Sequence, residues 1–415
     1  MNELDALWAF LVAAAVALLA TPLAARLAHR VGAVDSPRER GLHDRPLPYL
    51  GGLAILAAVL AASVLFVPDD AETRGILLGG AAIALIGAVD DRFDLPPAAK
   101  LLGQVAAALV PVLSGVTVEA ISIPLLGSIE LGSVGGAALT VIGIVAVMNV
   151  LNFTDGVDGL AAGVCTISAA TFAIIALSLA AATASVEGGM DRFAAGVLAA
   201  ATAGAAVGFL WHNFHPASIF MGDSDSNLLG LLLASVAVLG ILKTAAFVAL
   251  VFPLAVLAVP ILDSGFVVAK RIKYRQPVYR ADQWHFHHRF ANIGFSQRRT
   301  VAYLYAWTLT LAALALALRF VPYSDGAGTY YLGWTIVMVV LGLVALAASV
   351  YLVYVLEIFK FRRFRSRQLR RAAVAEGNVP PPEEEVAAEV EREVETGDFA
   401  AVDRPETGEF EAVGR

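Results

Sequence analysis

The sequence has little charge. Only 16% of its 415 residues are Asp, Glu, Lys or Arg, whereas soluble domains carry about 25%. Hydrophobic residues make up 58% of the chain, and they are gathered into windows that contain almost no charge. Each window spans roughly 18 to 25 residues, the length that a helix needs to cross the hydrocarbon core of a bilayer. The composition excludes a soluble globular protein and predicts a membrane protein with several helical spans.

Cysteine is nearly absent as well. The single cysteine, Cys165, excludes disulfides within the chain, Cys-rich zinc sites and Cys-x-x-Cys redox chemistry. Because it lies within an apolar run, we expect a small core residue.

A basic stretch ahead of the first apolar window is also missing, since Glu3 and Asp5 precede it. We therefore expect this window to be a retained span and not a cleaved signal.

The apolar windows predict an all-α polytopic membrane protein with about eleven transmembrane helices. They lie at residues 6–27, 49–67, 74–90, 97–115, 131–151, 158–183, 193–211, 227–243, 245–269, 301–320 and 330–356. With this count, 25 of the 29 Lys and Arg residues fall on one side of the membrane. Because Lys and Arg accumulate in cytoplasmic loops, we expect the N-terminus outside and the C-terminus in the cytoplasm.

Charge divides the chain into a transmembrane domain at 1–357, a basic juxtamembrane segment at 358–375 and an acidic tail at 376–415. The tail holds thirteen Asp and Glu residues against three Arg, a net charge of −10 that leaves the rest of the chain at +3. Because it has few apolar residues to bury, we expect disorder. The repeats that begin at Thr396 and Thr407 are typical of a solvated tail, with a phosphothreonine switch as the alternative.

The predicted external loops are short, except for residues 116–130. There Val116, Val118, Ile121 and Ile123 alternate with other residues ahead of a turn. This alternation predicts a small β-hairpin, to which we assign no chemistry.

Unusual polar clusters occur only in or beside the predicted cytoplasmic connections. The first is the Asp35–Gly52 loop, whose prolines and glycines favour turns. It offers an anion the side chains of Arg38, Arg40, His43 and Arg45. Arginines are also ordinary in a cytoplasmic loop, so both interpretations stay open.

The inner end of the third window contains three carboxylates, Asp90, Asp91 and Asp94. Because like charges repel, such a group is unfavourable unless a cation lies beside it. Adjacent residues of a helix point about 100° apart. Asp90 and Asp91 therefore reach one metal ion only if the helix frays, or they divide metal binding and proton transfer between them. A solvated helix end is the alternative. Lys100 either reaches a phosphate by snorkelling or marks the membrane interface.

A third cluster lies between the fifth and sixth windows. Asn149 with Asn152, and Asp155 with Asp158, are spaced three residues apart, so each pair can share one helical face. A glycine follows each of the two acids, and the start of the next helix presents free N–H groups to an anion. Because the segment contains no Lys or Arg, its acids are poorly explained as members of salt bridges.

Two further clusters contain Asn213 with Asp223 and a group of histidines. Asp223 follows a glycine at a membrane boundary, where its carboxylate can bind Mg²⁺, a hard cation that often keeps phosphate as a further ligand. His285-Phe-His287-His288-Arg289 lies in a strongly basic loop. Adjacent histidines without a nearby Cys or Glu are a weak zinc signal, so binding of a diphosphate is the better interpretation.

Acids suited to Mg²⁺, open helix starts and a basic His/Arg loop on one membrane face together predict phosphoryl transfer at the bilayer surface. The many spans are explained if one substrate is a lipid phosphate and the other a cytoplasmic nucleotide. The competing class is a transporter or lipid-linked sugar flippase. Such proteins usually have ionisable groups near the bilayer midplane and inverted repeats, and the sequence shows neither.

From Asp35 to Arg289 the sequence resembles the polyprenyl-phosphate N-acetylhexosamine-1-phosphate transferase family. The family's motifs occur in order as Asp90-Asp91, Asn152-Phe-Thr-Asp155-Gly-Val-Asp158-Gly, Asn213 with Met221-Gly222-Asp223, and His285-Phe-His287-His288. The form of the histidine motif and the Asp35–Gly52 loop are more similar to the branch that uses UDP-GlcNAc. The branch that uses UDP-MurNAc-pentapeptide is the alternative.

The resemblance implies attack by a polyprenyl-phosphate oxygen on the β-phosphorus of UDP-GlcNAc, giving polyprenyl-diphospho-GlcNAc and UMP at the cytoplasmic face of a bacterial cell membrane. It implies Mg²⁺, with Mn²⁺ as a substitute, no nucleic-acid partner, and a homodimer as one candidate assembly. The implied catalytic residues are Asp90, Asp91, Asp155, His285, His287 and His288. The implied metal ligands are Asp223, Asp90 and Asp91. The implied substrate-binding residues are Asp35, Arg45, Lys100, Asn152, Asp158, Asn213 and Arg289.

One residue departs from the family's pattern. After Met-Gly-Asp-Ser the family usually has Gly, and here Asp225 takes its place. An extra carboxylate beside the predicted metal site either repels phosphate or turns outward.

Overall fold

The structure is a computed structural model that describes residues 4–35, 47–123, 127–183, 188–242, 297–322, 331–354 and 381–396, with the single residues 257, 261, 265, 366, 369, 370 and 373. Apart from three of those single residues, the predicted ninth span at 245–269 lies outside the described residues. The predicted histidine loop at 285–289 lies outside them too.

Helices coincide with the other predicted windows. The first four are α1 (Asp5–Val31), α2 (Gly51–Phe66), α3 (Ala71–Phe93) and α4 (Pro97–Leu113). They are followed by α5 (Gly132–Thr154), α6 (Leu160–Ala182), α7 (Gly189–Asn213) and α8 (Asp223–Ala237), which continues as a short π-helix, Val238–Leu242. Further along lie α9 (Gln297–Phe320), α10 (Leu332–Tyr354) and α11 (Glu383–Thr396).

Five of the described helices, α1, α5, α6, α7 and α9, are long and apolar enough to cross a membrane. Helices α2 and α4 and the first part of α10 are shorter apolar helices. The prediction of an all-α polytopic membrane protein is therefore confirmed. The count of about eleven spans and the position of the N-terminus outside stay predictions.

Two short hairpins accompany the helices. The predicted hairpin is present as β3 (Ala120–Ile123) and β4 (Gly127–Glu130), which pair antiparallel. The second hairpin, β1 (Val34–Asp35) with β2 (Leu47–Pro48), was not predicted from the sequence. It pairs the residues on either side of segment 36–46, so the two ends of that loop lie next to each other.

The chain divides into two compact units. The first comprises Met1–Asp35, Leu47–Ile261 and Tyr305–Val321, and the second comprises Ser36–Pro46, Leu262–Leu304 and Pro322–Arg415. The described part of the second unit consists mainly of α10 and α11. Helix α10 exposes a run of large apolar side chains, as suits a helix that contacts lipid.

The prediction of disorder across 376–415 is wrong for Glu383–Thr396, which forms α11. Val386 and Val390, one helical turn apart, are both buried, and Arg392 pairs with Glu389. Glu and Ala are good helix formers, so the charge-based argument for disorder overlooked a helix with one apolar stripe. Residues 397–415 lie outside the described residues.

Helix α8 is the centre of the first unit. Every residue from Ser224 to Ala237 is buried, and α8 contacts α2, α3, α5, α6 and α7. From Leu228 to Ala237 the helix is almost entirely apolar, and a helix that is hydrophobic on all sides belongs in a protein core or a membrane. Cys165 on α6 is likewise buried in this core, which confirms its predicted role as a small core residue.

Helices α1 and α7 approach each other through small residues. Gly204 faces the carbonyl oxygen of Phe10, and Gly208, one turn later, faces that of Ala14. A Cβ atom at either glycine would overlap the backbone of α1. Small residues spaced four apart are a common way to bring two membrane helices into close contact, because van der Waals packing drives their association.

We predict that Gly204→Ala destabilises the protein. The added methyl group meets backbone, which cannot move aside as a side chain can, so the free energy of unfolding should fall by about 1–3 kcal/mol. Thermal unfolding in detergent measures the change. Gly143→Ala on α5 is the matched control, because a Cβ there meets nothing within 4 Å. Equal unfolding temperatures for the two variants would contradict the packing described for α1 and α7.

Candidate active site

The first turn of α8 is capped by a side chain from another helix. Asp91, near the end of α3, accepts hydrogen bonds from Asp223 N–H at 2.7 Å and from Ser224 N–H at 3.3 Å. The Ser224 hydroxyl also lies 2.7 Å from Asp91. A carboxylate at a helix N-terminus satisfies N–H groups that lack partners within the helix and interacts favourably with the helix dipole. Asp91 therefore positions Asp223, and its roles as a metal ligand and a catalytic residue stay predictions.

Glycines allow this close approach. Gly87 of α3 and Gly52 of α2 both face the backbone of Ser224, and Gly222 faces the Asp91 carboxylate. A Cβ at any of the three would overlap these atoms. The start of α8 can contact α2 and α3 only because these positions have no side chain.

Lys100 connects two of the predicted metal-binding acids. Its Nζ lies 2.7 Å from Asp90 Oδ2 and 2.8 Å from Asp223 Oδ2. The three residues come from the end of α3 and the starts of α4 and α8. The structure thus brings together a substrate-binding and two metal-binding candidates that lie up to 133 residues apart in the chain.

Two asparagines of α5 lie beside this cluster, and one of them contacts an acid. Asn152 donates to Asp223 Oδ1 and, at 3.0 Å, to the Ser226 hydroxyl. Asn149, one turn away, donates to Gln104 at 2.8 Å. Gln104 in turn donates to Asn227 of α8 at 2.8 Å. The prediction that Asn149 and Asn152 share one helical face is confirmed, and the Gln104–Asn227 connection is a polar layer that sequence reasoning missed.

The connection between α5 and α6 adds a further carboxylate. Partial burial raises the pKa of Asp155 well above its usual range, and the negative charges of Asp225, Asp223, Asp91 and Asp158 raise it further. These acids come from three separate motifs of the sequence. Their convergence creates a region that favours cations.

Asp158 and Asn213 connect the start of α6 with the segment that precedes α8. Asp158 pairs with His215 Nδ1 at 2.9 Å. Asn213 accepts from Gly159 N–H and donates to the Ile219 carbonyl, both at 3.0 Å. His215 was not among the predicted site residues, although its place between Asn213 and Asp223, within one predicted motif, was the available signal. Contact of Asp158 and Asn213 with a nucleotide stays a prediction.

Tyr305 of α9 was missed as well. Its hydroxyl donates to the carbonyl of Gly159, and no motif in the sequence marked it. Asp35 lies on β1, opposite Leu47 of β2, and is not among the residues that contact the carboxylate cluster through a described hydrogen bond. Arg45, His285, His287, His288 and Arg289 lie outside the described residues, so their predicted roles stay predictions.

The donor set around Lys100 fits Mg²⁺. Among the described residues, no group of three or more His, Cys, Asp or Glu side chains is arranged to hold a metal ion by itself. Mg²⁺, however, is usually held by one or two carboxylates together with substrate phosphates. Asp90 and Asp223 already direct one oxygen each at a single cationic nitrogen. They are the residues that would hold the ion.

Asp225 does not turn outward, and its predicted repulsion of phosphate stays a prediction. It is fully buried and turned towards α2, where its Oδ1 accepts from Gly52 N–H in the first turn of that helix. The Ser224 hydroxyl lies 2.7 Å from the same oxygen. The prediction that Asp225 turns outward is wrong, because the start of α2 needs an acceptor that its own N-terminal residue, Leu50, does not supply.

We predict opposite effects for two substitutions of Asp225. Asp225→Ala removes the acceptor of Gly52 N–H and should lower the free energy of unfolding by about 1–3 kcal/mol. Asp225→Asn keeps a carbonyl acceptor and removes a buried charge near other acids, so its stability should equal or exceed that of the wild type. Thermal unfolding of both variants in detergent tests this prediction. If Asp225→Asn were less stable than Asp225→Ala, the capping role of Asp225 would be contradicted.

Comparison with known proteins identifies the family. Residues 73–241 match the model of glycosyl transferase family 4. The chain is 35% identical over 367 residues, 88% of this chain and 97% of the relative, to a probable undecaprenyl-phosphate N-acetylglucosaminyl 1-phosphate transferase of Bacillus subtilis. It is 38% identical over 340 residues, 76% of this chain and 85% of the relative, to the decaprenyl-phosphate N-acetylglucosaminephosphotransferase of Mycobacterium leprae.

A more distant relative comes from the other branch. The phospho-N-acetylmuramoyl-pentapeptide-transferase of Desulforudis audaxviator is 32% identical over 344 residues, 74% of this chain and 97% of the relative. The matched family model covers α3 to α8, the helices that carry Asp90, Lys100 and Asp223. The chain belongs to the polyprenyl-phosphate N-acetylhexosamine-1-phosphate transferases of glycosyl transferase family 4.

Proposed function

We propose that this protein transfers GlcNAc-1-phosphate from UDP-GlcNAc to a polyprenyl phosphate at the cytoplasmic face of a bacterial membrane, in a reaction that requires Mg²⁺. The products are polyprenyl-diphospho-GlcNAc and UMP. The names of the more similar relatives support this donor over UDP-MurNAc-pentapeptide.

One observation of the structure carries the proposal. Asp90 and Asp223, from separate helices, converge on one cation, the Lys100 ammonium. Around them, Asn152 orients Asp223 and Asp91 caps the helix that begins with Asp223. Fixed charges of this kind stabilise the charge that moves between phosphate oxygens during transfer. The arrangement is suited to a diphosphate with its cation more than to passage of a solute.

The chemistry needs positioning more than proton removal. The second pKa of a phosphate monoester is near 6, so the attacking oxygen of the lipid phosphate is mostly ionised at neutral pH. That oxygen forms a bond to the β-phosphorus, and the bond from the β-phosphorus to the bridging oxygen breaks. UMP leaves with the electron pair. The cation, when bound, neutralises charge on the diphosphate.

The residues of this chain divide the remaining tasks. Asp90 and Asp223 would hold the cation, with Asp90 also placed to orient or deprotonate the lipid phosphate. Lys100 contacts the transferred phosphate, and Asp158 with Asn213 lies on the uridine side. The basic loop grips phosphate or sugar through His285, His287, His288 and Arg289. A covalent phospho-carboxylate intermediate is the alternative to direct attack.

Release of UMP tests this function. We expect full-length protein in detergent, supplied with polyprenyl phosphate and Mg²⁺, to release UMP from UDP-GlcNAc and not from UDP-MurNAc-pentapeptide or other UDP-sugars. Asp223→Asn should lower the rate at least about 100-fold, the order found when a preorganised electrostatic group is lost. Asp94→Asn is the matched control, because Asp94 is exposed at the end of α3 and its left-handed backbone tolerates Asn.

Two results would count against the proposal. Full Mg²⁺-dependent turnover by Asp223→Asn would exclude Asp223 as the ligand. Absence of UMP from every donor, with folded protein and lipid present, would favour the transport function considered above.

A further inference from the structure

Lys100 occupies the point on which two carboxylates converge. Its ammonium contacts Oδ2 of Asp90 and of Asp223, at 2.7 and 2.8 Å. The other oxygen of each acid already has a neutral donor, Leu95 N–H for Asp90 at 2.8 Å and the Asn152 amide for Asp223. The two Oδ2 atoms are therefore the ones directed at a cation, and the Lys100 ammonium occupies the position between them.

The three side chains differ in their access to water. The side chain of Asp90 is only 3% exposed, whereas that of Lys100 is 31% exposed and that of Asp223 is 22% exposed. A buried carboxylate is strongly destabilised when its partner is removed, so Asp90 needs a cation at all times. Lys100, by contrast, has a path to water. These conditions permit one cation to replace another.

We propose that Lys100 is an internal competitor of the divalent cation, which holds the position between Asp90 and Asp223 in the free protein and leaves it when cation and nucleotide enter together. This inference rests on the proposed function. A divalent ion and an ammonium cannot share the position, because two positive charges at such distances repel each other strongly in a partly buried site. The ion therefore binds only as Lys100 moves out.

The displaced ammonium needs a new anionic partner. A diphosphate brings that partner, whereas the divalent cation alone does not. The free protein consequently binds the cation weakly, and the cation and the nucleotide increase each other's affinity, since coupling between two ligands is reciprocal. The lysine thereby ties entry of the metal ion to entry of the substrate that needs it.

Binding of Mn²⁺ to full-length, nucleotide-free protein in detergent tests this, with the electron paramagnetic resonance signal of free Mn²⁺ as the readout. Lys100→Gln removes the ammonium and leaves both carboxylates, so its affinity for Mn²⁺ should exceed that of the wild type by about tenfold, within the usual range of coupling between sites. Lys100→Arg retains a cation and should match the wild type. Adding Asp223→Asn to Lys100→Gln should abolish the gain.

Thermal unfolding is a second readout that does not depend on activity. Ligands that bind the native state stabilise it, so Mn²⁺ should raise the unfolding temperature of Lys100→Gln more than that of the wild type. Lys100→Met, which keeps the apolar stem, replaces the Gln variant if that variant does not fold.

The outcomes separate this inference from the proposed function. If the variants without the ammonium bind Mn²⁺ no more tightly than the wild type, the competitor role is overturned, even where wild-type UMP release depends on a divalent cation. If wild-type UMP release needs no divalent cation, the metal requirement of the proposed function fails, and the competitor role fails with it.

Discussion

The hydrogen bonds from the first turn of α8 to the Asp91 carboxylate fix the start of a helix that is buried from Ser224 to Ala237. Three glycines let that start approach α2 and α3 without a side chain between them. Asp223, the first residue of α8, is placed by this cap within reach of Lys100 and Asn152. The position of the proposed metal ligand therefore depends on a contact between two acids, Asp91 and Asp223, that are 132 residues apart in sequence.

Backbone N–H groups and one ammonium explain how the acids of the site are tolerated together. Asp91 and Asp225 each accept from the backbone of a helix start, α8 and α2 respectively, so the dipoles of these helices offset part of their charge. Asp90 and Asp223 share one ammonium. One pair of these acids thus contacts the backbone of a helix start, and the other pair contacts an ammonium. The second pair is the one that we propose to hold the divalent cation.

Much of this could be predicted from the sequence. Apolar windows predicted α1 to α10 because the bilayer sets the length of a span, and the predicted site residues Asp90, Lys100, Asn152 and Asp223 do lie together. Which acids contact backbone and which contact a cation was harder to predict from the sequence. Whether Asp225 turns outward or caps α2 depends on where Gly52 lies, and that contact joins residues 173 positions apart. Helix α11 was not predicted, because the expectation of disorder rested on net charge and not on the spacing of Val386 and Val390, which are one helical turn apart.

The central claim is that diphosphate and divalent cation bind at the junction of α3, α4 and α8. An electron cryo-microscopy structure of the full-length protein with UDP-GlcNAc and Mg²⁺ tests it most directly. The account predicts diphosphate density beside Asp223, with the Lys100 ammonium on a phosphate and no longer between Asp90 and Asp223. Nucleotide bound elsewhere, with the Lys100 pairs to both acids intact, would contradict it.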